Sequence, residues 1–186
     1  MKHVSRLWNY YVNVCQSHRI DSEEMYRKGK TFLQYYKDAC RMPENLLPPD
    51  PYSTAQDAIR QYEVLVGILN TADAVEMAAI LTDHQISQKA LKDIMAETVN
   101  DFANMGEDYR VYANIISKKY MVMYSFTDAQ LIEMMGMGST TYYNKLREAT
   151  GLFIIHLWLV VIPKRCKELQ MTVMESRLHP MEAIYV

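Results

Sequence analysis

The sequence predicts an all-α protein, and its composition is the first observation that indicates this. Of its 186 residues only six are glycine and six are proline, which is few for the many tight turns of a β fold. Methionine, a strong helix former, occurs 14 times. The second observation is that apolar residues recur three and four positions apart along most of the chain, as on one face of a helix. We therefore expect an N-terminal helical region followed by a C-terminal domain of three helices.

Residues 1–41 are predicted to form a helical hairpin. One helix covers 2–19, and a second helix follows Asp21, which with Glu24 has the pattern of a helix N-cap. The next segment, 42–52, holds four of the six prolines. Because proline removes a backbone donor and restricts the residue before it, we expect a linker here.

The middle region, 53–106, is predicted to contain three further helices. Their approximate ranges are 53–69, 72–81 and 88–104. Ser53 and Ser87 stand where N-caps are expected, and Gln56 completes a capping-box pattern with Ser53. The repeating apolar positions within each range predict that one side of each helix is buried.

The region 107–170 is organised around two short helices joined by a tight turn. Thr127 and Gln130 have the capping-box pattern at the start of the first short helix. Gly136 is predicted to end this helix, because glycine adopts positive φ without a steric penalty. A longer helix, 107–121, precedes the pair and is expected to pack across both.

Ser139 is predicted to cap the second short helix, which runs from Thr140 to at least Ala149. Tyr142 and Leu146 fall on its inner side. Two helices of this length and spacing have the plan of a helix-turn-helix, in which the second helix enters the major groove of DNA. The alternative from the pattern alone is an ordinary helical hairpin whose outer face is solvated.

The outward side chains of this second helix, and the basic pair before the motif, are the candidate DNA-binding residues. Lysine and arginine can meet phosphates or guanine edges, asparagine can pair with adenine, and hydroxyl groups can bond phosphate oxygens. The candidates are Ser139, Thr140, Thr141, Tyr143, Asn144, Lys145, Arg147, Lys118 and Lys119.

The segments YRVYANIISKKYM (109–121) and FTDAQLIEMMGMGSTTYYNKLREATGLF (126–153) resemble the C-terminal part of the ArpU family of phage late-transcription regulators. Three features are shared. They are Ile115, Ile116 and Tyr120 of the helix before the motif, the run 141–143 (TYY) and the run 147–149 (REA). The resemblance covers under a third of the chain. It implies a helix-turn-helix like that of sigma-factor region 4 and a role in regulating phage or prophage late genes.

After the motif, residues 152–159 form a wide apolar surface, which we expect to dock on the N-terminal helices or on a second copy of the chain. Pro163 is predicted to kink or end this helix. The basic cluster that follows begins at Lys164 and can contact phosphate or stabilise a helix C-terminus. The tail, 171–186, is less patterned and is expected to be partly disordered or to form an arm in an oligomer.

The charge distribution gives modest support to DNA binding. The net charge is −2, which argues against a general polyanion binder. Residues 1–106 carry 11 basic and 14 acidic side chains, whereas residues 117–170 carry 7 basic and 4 acidic ones. The motif therefore lies in the basic part of a mildly acidic protein.

No spacing of residues points to catalysis or to a cofactor. The sequence contains no metalloprotease, Cys-x-x-Cys, phosphate-loop or nucleophile-elbow motif, so we expect neither an enzyme, nor a cofactor, nor a metal site. Three distant cysteines do not indicate a disulfide framework and fit a reducing bacterial cytoplasm. The longest apolar run, 151–162, is shorter than the roughly 20 residues that a membrane-spanning helix needs.

The expected function is sequence-specific binding to double-stranded DNA, with RNA polymerase as a further partner and with a homodimer or higher oligomer as the acting form. Two alternatives stay open at this point. One is a helical protein-interaction or phage-assembly module in which the motif is only scaffold. The other is the small subunit of a DNA-packaging motor.

Overall fold

The computed structural model describes residues 5–39, 54–71, 73–83, 87–122, 124 and 126–178, and regular structure within them is entirely helical. The helices are α1 (Arg6–Ser17), α2 (Ser22–Ala39), α3 (Ala55–Thr71), α4 (Ala74–Asp83), α5 (Gln88–Asn104), α6 (Glu107–Ile116), α7 (Asp128–Met135), α8 (Ser139–His156) and α9 (Ile162–Leu178). A π-helical segment, Ser117–Met121, continues α6, and another, Leu157–Val161, joins α8 to α9. The all-α prediction is confirmed for these residues. The predicted linker, 42–52, and the predicted cap Ser53 lie outside them.

The second half of α8 is the centre of the core. Every residue from Ala149 to Ile155 is buried, and α1, α2, α5 and α6 all pack against this helix. Phe153 meets Phe102 of α5 edge-on, with 5.7 Å between the ring centroids. The apolar surface after the motif thus docks on preceding helices of the same chain. One hydrophobic core joins residues of the predicted hairpin, the middle region and the C-terminal region.

Small residues allow α1 and α2 to approach α8 closely. A Cβ atom at Gly29 of α2 would lie 3.1 Å from Cβ of Ile154 and 3.2 Å from Cγ2 of Thr150. A Cβ atom at Gly151 of α8 would lie 3.1 Å from the Tyr11 ring of α1. Because real Cβ contacts are rarely this short, larger side chains at these two glycines would push the helices apart.

Asp21 Oδ1 accepts the Glu24 N–H at 2.8 Å, as the sequence pattern predicts for the start of α2. The predicted N-cap of α5 is also confirmed, since Ser87 accepts the Ala90 N–H. The start of α4 was predicted two residues too early. Asp73 caps this helix instead, because its Oδ1 accepts the N–H groups of two first-turn residues at 2.8 Å.

Two polar side chains, Lys28 and Glu24, link α2 to the ends of α3 and α4. Lys28 is only 4% exposed, and its Nζ donates to the Leu69 carbonyl at 2.7 Å, near the C-terminus of α3. Burial lowers the pKa of Lys28, although the carboxylates of Glu24 and Asp73 partly oppose the shift. Glu24, one turn earlier on α2, accepts the Ala74 N–H at 2.8 Å at the start of α4. Two polar side chains of α2 therefore satisfy backbone groups at both helix ends.

Of the two predicted effects of Pro163, a kink or an end, the end does not occur, because a π-helical turn precedes the proline and the helix continues. The Ile162 N–H bonds to the Leu157 carbonyl, five residues back. Wider hydrogen bonding of this kind relieves the clash between a proline ring and the preceding turn. The chain then continues as α9 to Leu178, so residues 171–178 are helical and not a disordered tail. Residues 179–186 of the predicted tail lie outside the described part.

The continuous helix Ser139–Glu175 is long and apolar enough to cross a membrane, by length and composition alone. Its length exceeds the apolar run seen in the sequence, because Pro163 does not terminate it. However, 61% of the apolar 18-residue stretch within this helix is buried inside the fold. This degree of burial is what the core helix of a globular protein shows.

Gly29→Val is predicted to destabilise the fold by roughly 1–3 kcal/mol, the cost typical of overpacking a core. The matched change Gly67→Val is the control, since a Cβ atom at Gly67 meets nothing within 4 Å, and it should leave stability unchanged or raise it slightly. Urea denaturation followed by circular dichroism measures both. Equal stability of the two variants would contradict the close packing of α2 on α8.

Candidate nucleic-acid interface

A small three-helix cluster forms one end of the molecule. It consists of α6 with its π-helical segment, α7, and the first half of α8. Its centre is formed by Ile115, Leu131 and Tyr142, one from each helix and each fully buried. Leu146 packs against both this centre and the main core. The cluster is therefore continuous with the rest of the fold through α8.

The sequence predicts the entry and exit of α7 correctly. Thr127 and Gln130 form a reciprocal capping box. Gly136 adopts the left-handed conformation, with φ 59°, and the Met137 N–H returns to the Ile132 carbonyl at 3.2 Å, as in a Schellman ending. The sharp turn between α7 and α8 therefore depends on a residue that tolerates positive φ.

The predicted cap of α8 is wrong by one residue. Ser139 is the first residue inside the helix, and Gly138 occupies the N-cap position. Among the described residues no side chain caps this end, and the first turn of α8 contains no acidic residue. Its backbone N–H groups and the positive end of the helix dipole consequently face outward, an arrangement that favours anions.

Asp128 holds the three helices of the cluster together. Its Oδ1 accepts the Tyr142 hydroxyl of α8 at 2.7 Å and also forms an ion pair with Lys119 of the π-helical segment. Partial burial alone would raise the pKa of Asp128, but hydrogen bonds from Lys119 and Tyr142, together with the lysine charge, outweigh it and keep that pKa below 3.8. Burial, aided by Asp128, raises the pKa of Tyr142 far above 10.0, so the hydroxyl remains a donor.

Five predicted site residues lie together on the exposed first turns of α8. We call this set the polar face of α8. It comprises Ser139, Thr140, Thr141, Tyr143 and Asn144, all exposed. Tyr143 is 52% exposed, and its ring stands at 71° to the buried Tyr142 ring with 5.3 Å between centroids. The polar face offers hydroxyl and amide groups, an aromatic ring and free backbone donors, but no formal charge.

The three candidate lysines are engaged within the chain. Lys119 is paired with Asp128, and its side chain is 18% exposed. Lys118 lies over the Phe126 ring, with Nζ 5.6 Å from the ring centroid. Lys145 lies over the Tyr112 ring at 5.5 Å, and its Nζ is 3.7 Å from Asp108. Lys119 and Lys145 therefore have carboxylate partners, whereas Lys118 has an aromatic one.

Arg147 is also engaged, with residues of the N-terminal helices. Its guanidinium forms an ion pair with Glu23 of α2. It lies 4.3 Å from the ring centroid of Trp8 on α1 and 5.7 Å from that of Tyr26 on α2. About 45% of the Arg147 side chain remains exposed. The last residue of the predicted recognition stripe therefore connects that stripe to the start of the fold.

The basic cluster on α9 is likewise partly neutralised. Lys164 Nζ lies 2.8 Å from Glu97 of α5, and Arg165 contacts both Glu97 and Glu168. The alternative that this cluster stabilises a helix C-terminus is not what the contacts show, because these residues lie near the beginning of α9. Their carboxylate partners make the cluster a link between α5 and α9.

The described residues contain no group of three or more His, Cys, Asp or Glu side chains that could hold a metal ion. His156 lies 3.2 Å from the Asp101 carboxylate and packs against the Phe102 ring. Cys15 is buried and Cys166 is partly buried, and both are free thiols. The polar face of α8 therefore remains the candidate functional site.

Comparisons with protein-family models, with characterised proteins and with solved structures found no match for this chain.

Sequence reasoning missed the partners of the candidate cations. The sequence did not connect Asp128 with Lys119, nor Glu23 and Trp8 with α8. A signal existed for Asp128, since an acid at the first helical position commonly meets a nearby cation or the helix dipole. No local signal connects Glu23 with Arg147, because 124 positions separate them.

Asp128→Asn is predicted to destabilise the three-helix cluster by roughly 1–3 kcal/mol at pH 7, since it leaves Lys119 without its ion pair. The folded-state pKa of Asp128 lies below its ordinary value of 3.8. Its contribution to stability is therefore fully present above pH 3.8 and is lost as the pH falls through the folded-state pKa.

Denaturation monitored by tyrosine fluorescence at pH 7 and near pH 3 measures this difference. Glu133→Gln, a charge removal at an exposed position of the same helix, is the matched control and should have little effect. A deficit of Asp128→Asn that stays constant down to pH 2 would show that the carboxylate charge does not stabilise the cluster.

Proposed function

We propose that this protein binds double-stranded DNA in a sequence-specific manner and regulates transcription, in the phage or prophage late-gene role that the sequence resemblance implies. In this proposal α7 and α8 act as a helix-turn-helix. The helix α7 braces the pair, and α8 inserts its first turns into the major groove.

The observation that carries the proposal is the polar face of α8. Five exposed residues within 139–144 offer hydroxyl, amide and aromatic groups at the start of a helix whose first turn lacks acidic residues. Such groups bond phosphate oxygens and base edges. The opposite side of the same turns is fixed by the buried Tyr142 and its bond to Asp128, so the polar face is presented in one orientation.

The engaged cations shape the expected binding. Since Lys119, Lys145 and Arg147 have acidic partners in the chain, few phosphates are neutralised per copy and the salt dependence of affinity should be shallow. Base contacts and a second half-site must then supply most of the affinity. A homodimer on two half-sites about one turn of DNA apart, or assistance from RNA polymerase, satisfies this requirement.

A protein-interaction role is the second candidate, and exposed apolar side chains favour it. Met134 of α7 is 48% exposed, Tyr143 is 52% exposed, and Tyr124 between α6 and α7 is 84% exposed. Aromatic residues and methionine are enriched in protein interfaces. In this alternative the end of the molecule that contains α7 binds another protein, and DNA has no part.

Selection of binders from a pool of random duplex DNA, followed by salt titration of the recovered sequence, tests the proposal. We expect enrichment of a defined motif. Asn144→Ala should weaken binding to that motif by about 1–3 kcal/mol and relax the preference at one base position, as loss of an adenine contact does.

Asn100→Ala is the matched control for this substitution, because Asn100 is also exposed but lies on α5. It should bind like the unchanged protein. Failure of the folded protein to enrich any sequence, alone and with RNA polymerase present, would refute DNA recognition. Equal binding by the two asparagine variants would show that the polar face does not read bases.

A further inference from the structure

Arg147 sits in a closed network that joins three helices. Trp8 of α1 packs between two positions of α8 that lie one turn apart. Its ring centroid is 4.3 Å from the Arg147 guanidinium, and its Cζ3 lies 3.3 Å from where a Gly151 Cβ would be. The missing side chain at Gly151 thus leaves room for an indole that Arg147 covers.

The same network continues into α2. The Trp8 and Tyr11 rings are 4.7 Å apart, and the Tyr11 hydroxyl donates to the Ser22 carbonyl at 2.6 Å. The next residue, Glu23, closes the network by pairing with Arg147. The beginning of α2 is therefore joined to α1 by a tyrosine hydroxyl and to α8 by a guanidinium.

The position of Arg147 along α8 gives this network its significance. It lies three and four residues beyond Asn144 and Tyr143, and hence on the same side of the helix as the polar face. Beyond Arg147 the helix enters the core, where Ala149 and Thr150 are buried. The network thus contacts α8 where its exposed first turns end and its buried half begins.

We propose that Arg147 is a positioning residue, which sets the orientation of the polar face by joining Trp8 of α1 and Glu23 of α2 to α8, and does not bind DNA phosphate itself. This inference rests on the proposed DNA-binding function. A planar guanidinium suits the role, because it stacks on aromatic rings and pairs with a carboxylate at the same time. Lysine at this position would keep the charge but lose the stacked plane.

The substitution Glu23→Gln distinguishes a positioning role of Arg147 from a direct phosphate contact, because the two predict opposite changes in DNA affinity. If Arg147 positions α8, removal of its partner weakens DNA binding by up to about fivefold, the upper end of the range for loss of an exposed ion pair. If Glu23 instead competes with DNA phosphate for the Arg147 guanidinium, the same substitution tightens binding. Glu168→Gln is the matched control, since Glu168 is comparably exposed and pairs with Arg165 on α9; it should not weaken binding.

The Arg147 variants add readouts that a general loss of stability would not produce. Arg147→Lys should weaken binding about as much as Arg147→Ala, and neither should change the slope of log affinity against log salt. A phosphate contact predicts instead that lysine retains affinity and that alanine lowers the slope by about 0.9. The double variant Glu23→Gln with Arg147→Lys should bind no more weakly than Arg147→Lys alone.

Hydrogen exchange of the free protein completes the test without DNA. Glu23→Gln and Arg147→Lys should speed exchange in α1 and in residues 139–147, with α5 unaffected. Unchanged exchange there, tighter DNA binding by Glu23→Gln, or a lowered salt slope for Arg147→Ala would each overturn the positioning role alone. Absence of DNA binding by the unaltered protein, with exchange responding as expected, would overturn the proposed function, and the positioning role in DNA binding with it.

Discussion

The close crossing of α2 over α8 at Gly29 is the constraint on which the remaining structure depends. A Cβ atom at Gly29 would lie closer to Thr150 and Ile154 than ordinary van der Waals contact allows, so the absence of a side chain there lets the two helices pack closely and bury the flanking side chains. That burial leaves α8 with a central position that α1, α5 and α6 then share. Polar anchors on the other side of α2, such as Lys28, fix the ends of α3 and α4 to the same helix.

A central helix whose first turns extend to the surface couples the core directly to the candidate site. Residues 149–155 are buried in the core, so the packing of this half of α8 is one restraint on the orientation of the polar face. Asp128 adds a second restraint by joining Tyr142 of α8 to Lys119. Rigid presentation of this kind reduces the ordering cost of binding, which is the advantage of placing recognition groups on a helix and not on a loop.

Local chemistry in the sequence predicted the helices well. It did not predict the contacts between distant parts of the chain. The capping box of Thr127 and the left-handed Gly136 follow from residue type and spacing within a few positions. Periodicity also identified Tyr142 as buried. In contrast, the partner of Arg147 lies 124 residues away, and helical periodicity shows only that a side chain faces outward, not which helix lies there. For a related reason the sequence did not show that the helix continues through Pro163, since a π-helical turn that accommodates proline has no recognised signature in the preceding residues.

The internal pairing of the cations explains how a protein with a net charge of −2 can serve the proposed function. A strongly basic face binds any DNA, and its affinity for unrelated sites competes with its target. Here each of Lys119, Lys145 and Arg147 is offset by a carboxylate, which lowers that background. In the proposed complex the uncharged hydroxyl and amide groups on α8 would face the groove, where they gain little from phosphates but distinguish base edges. On this reasoning the internal pairing of these three cations favours selectivity at the expense of affinity, and a second copy or a partner protein would supply the remaining affinity.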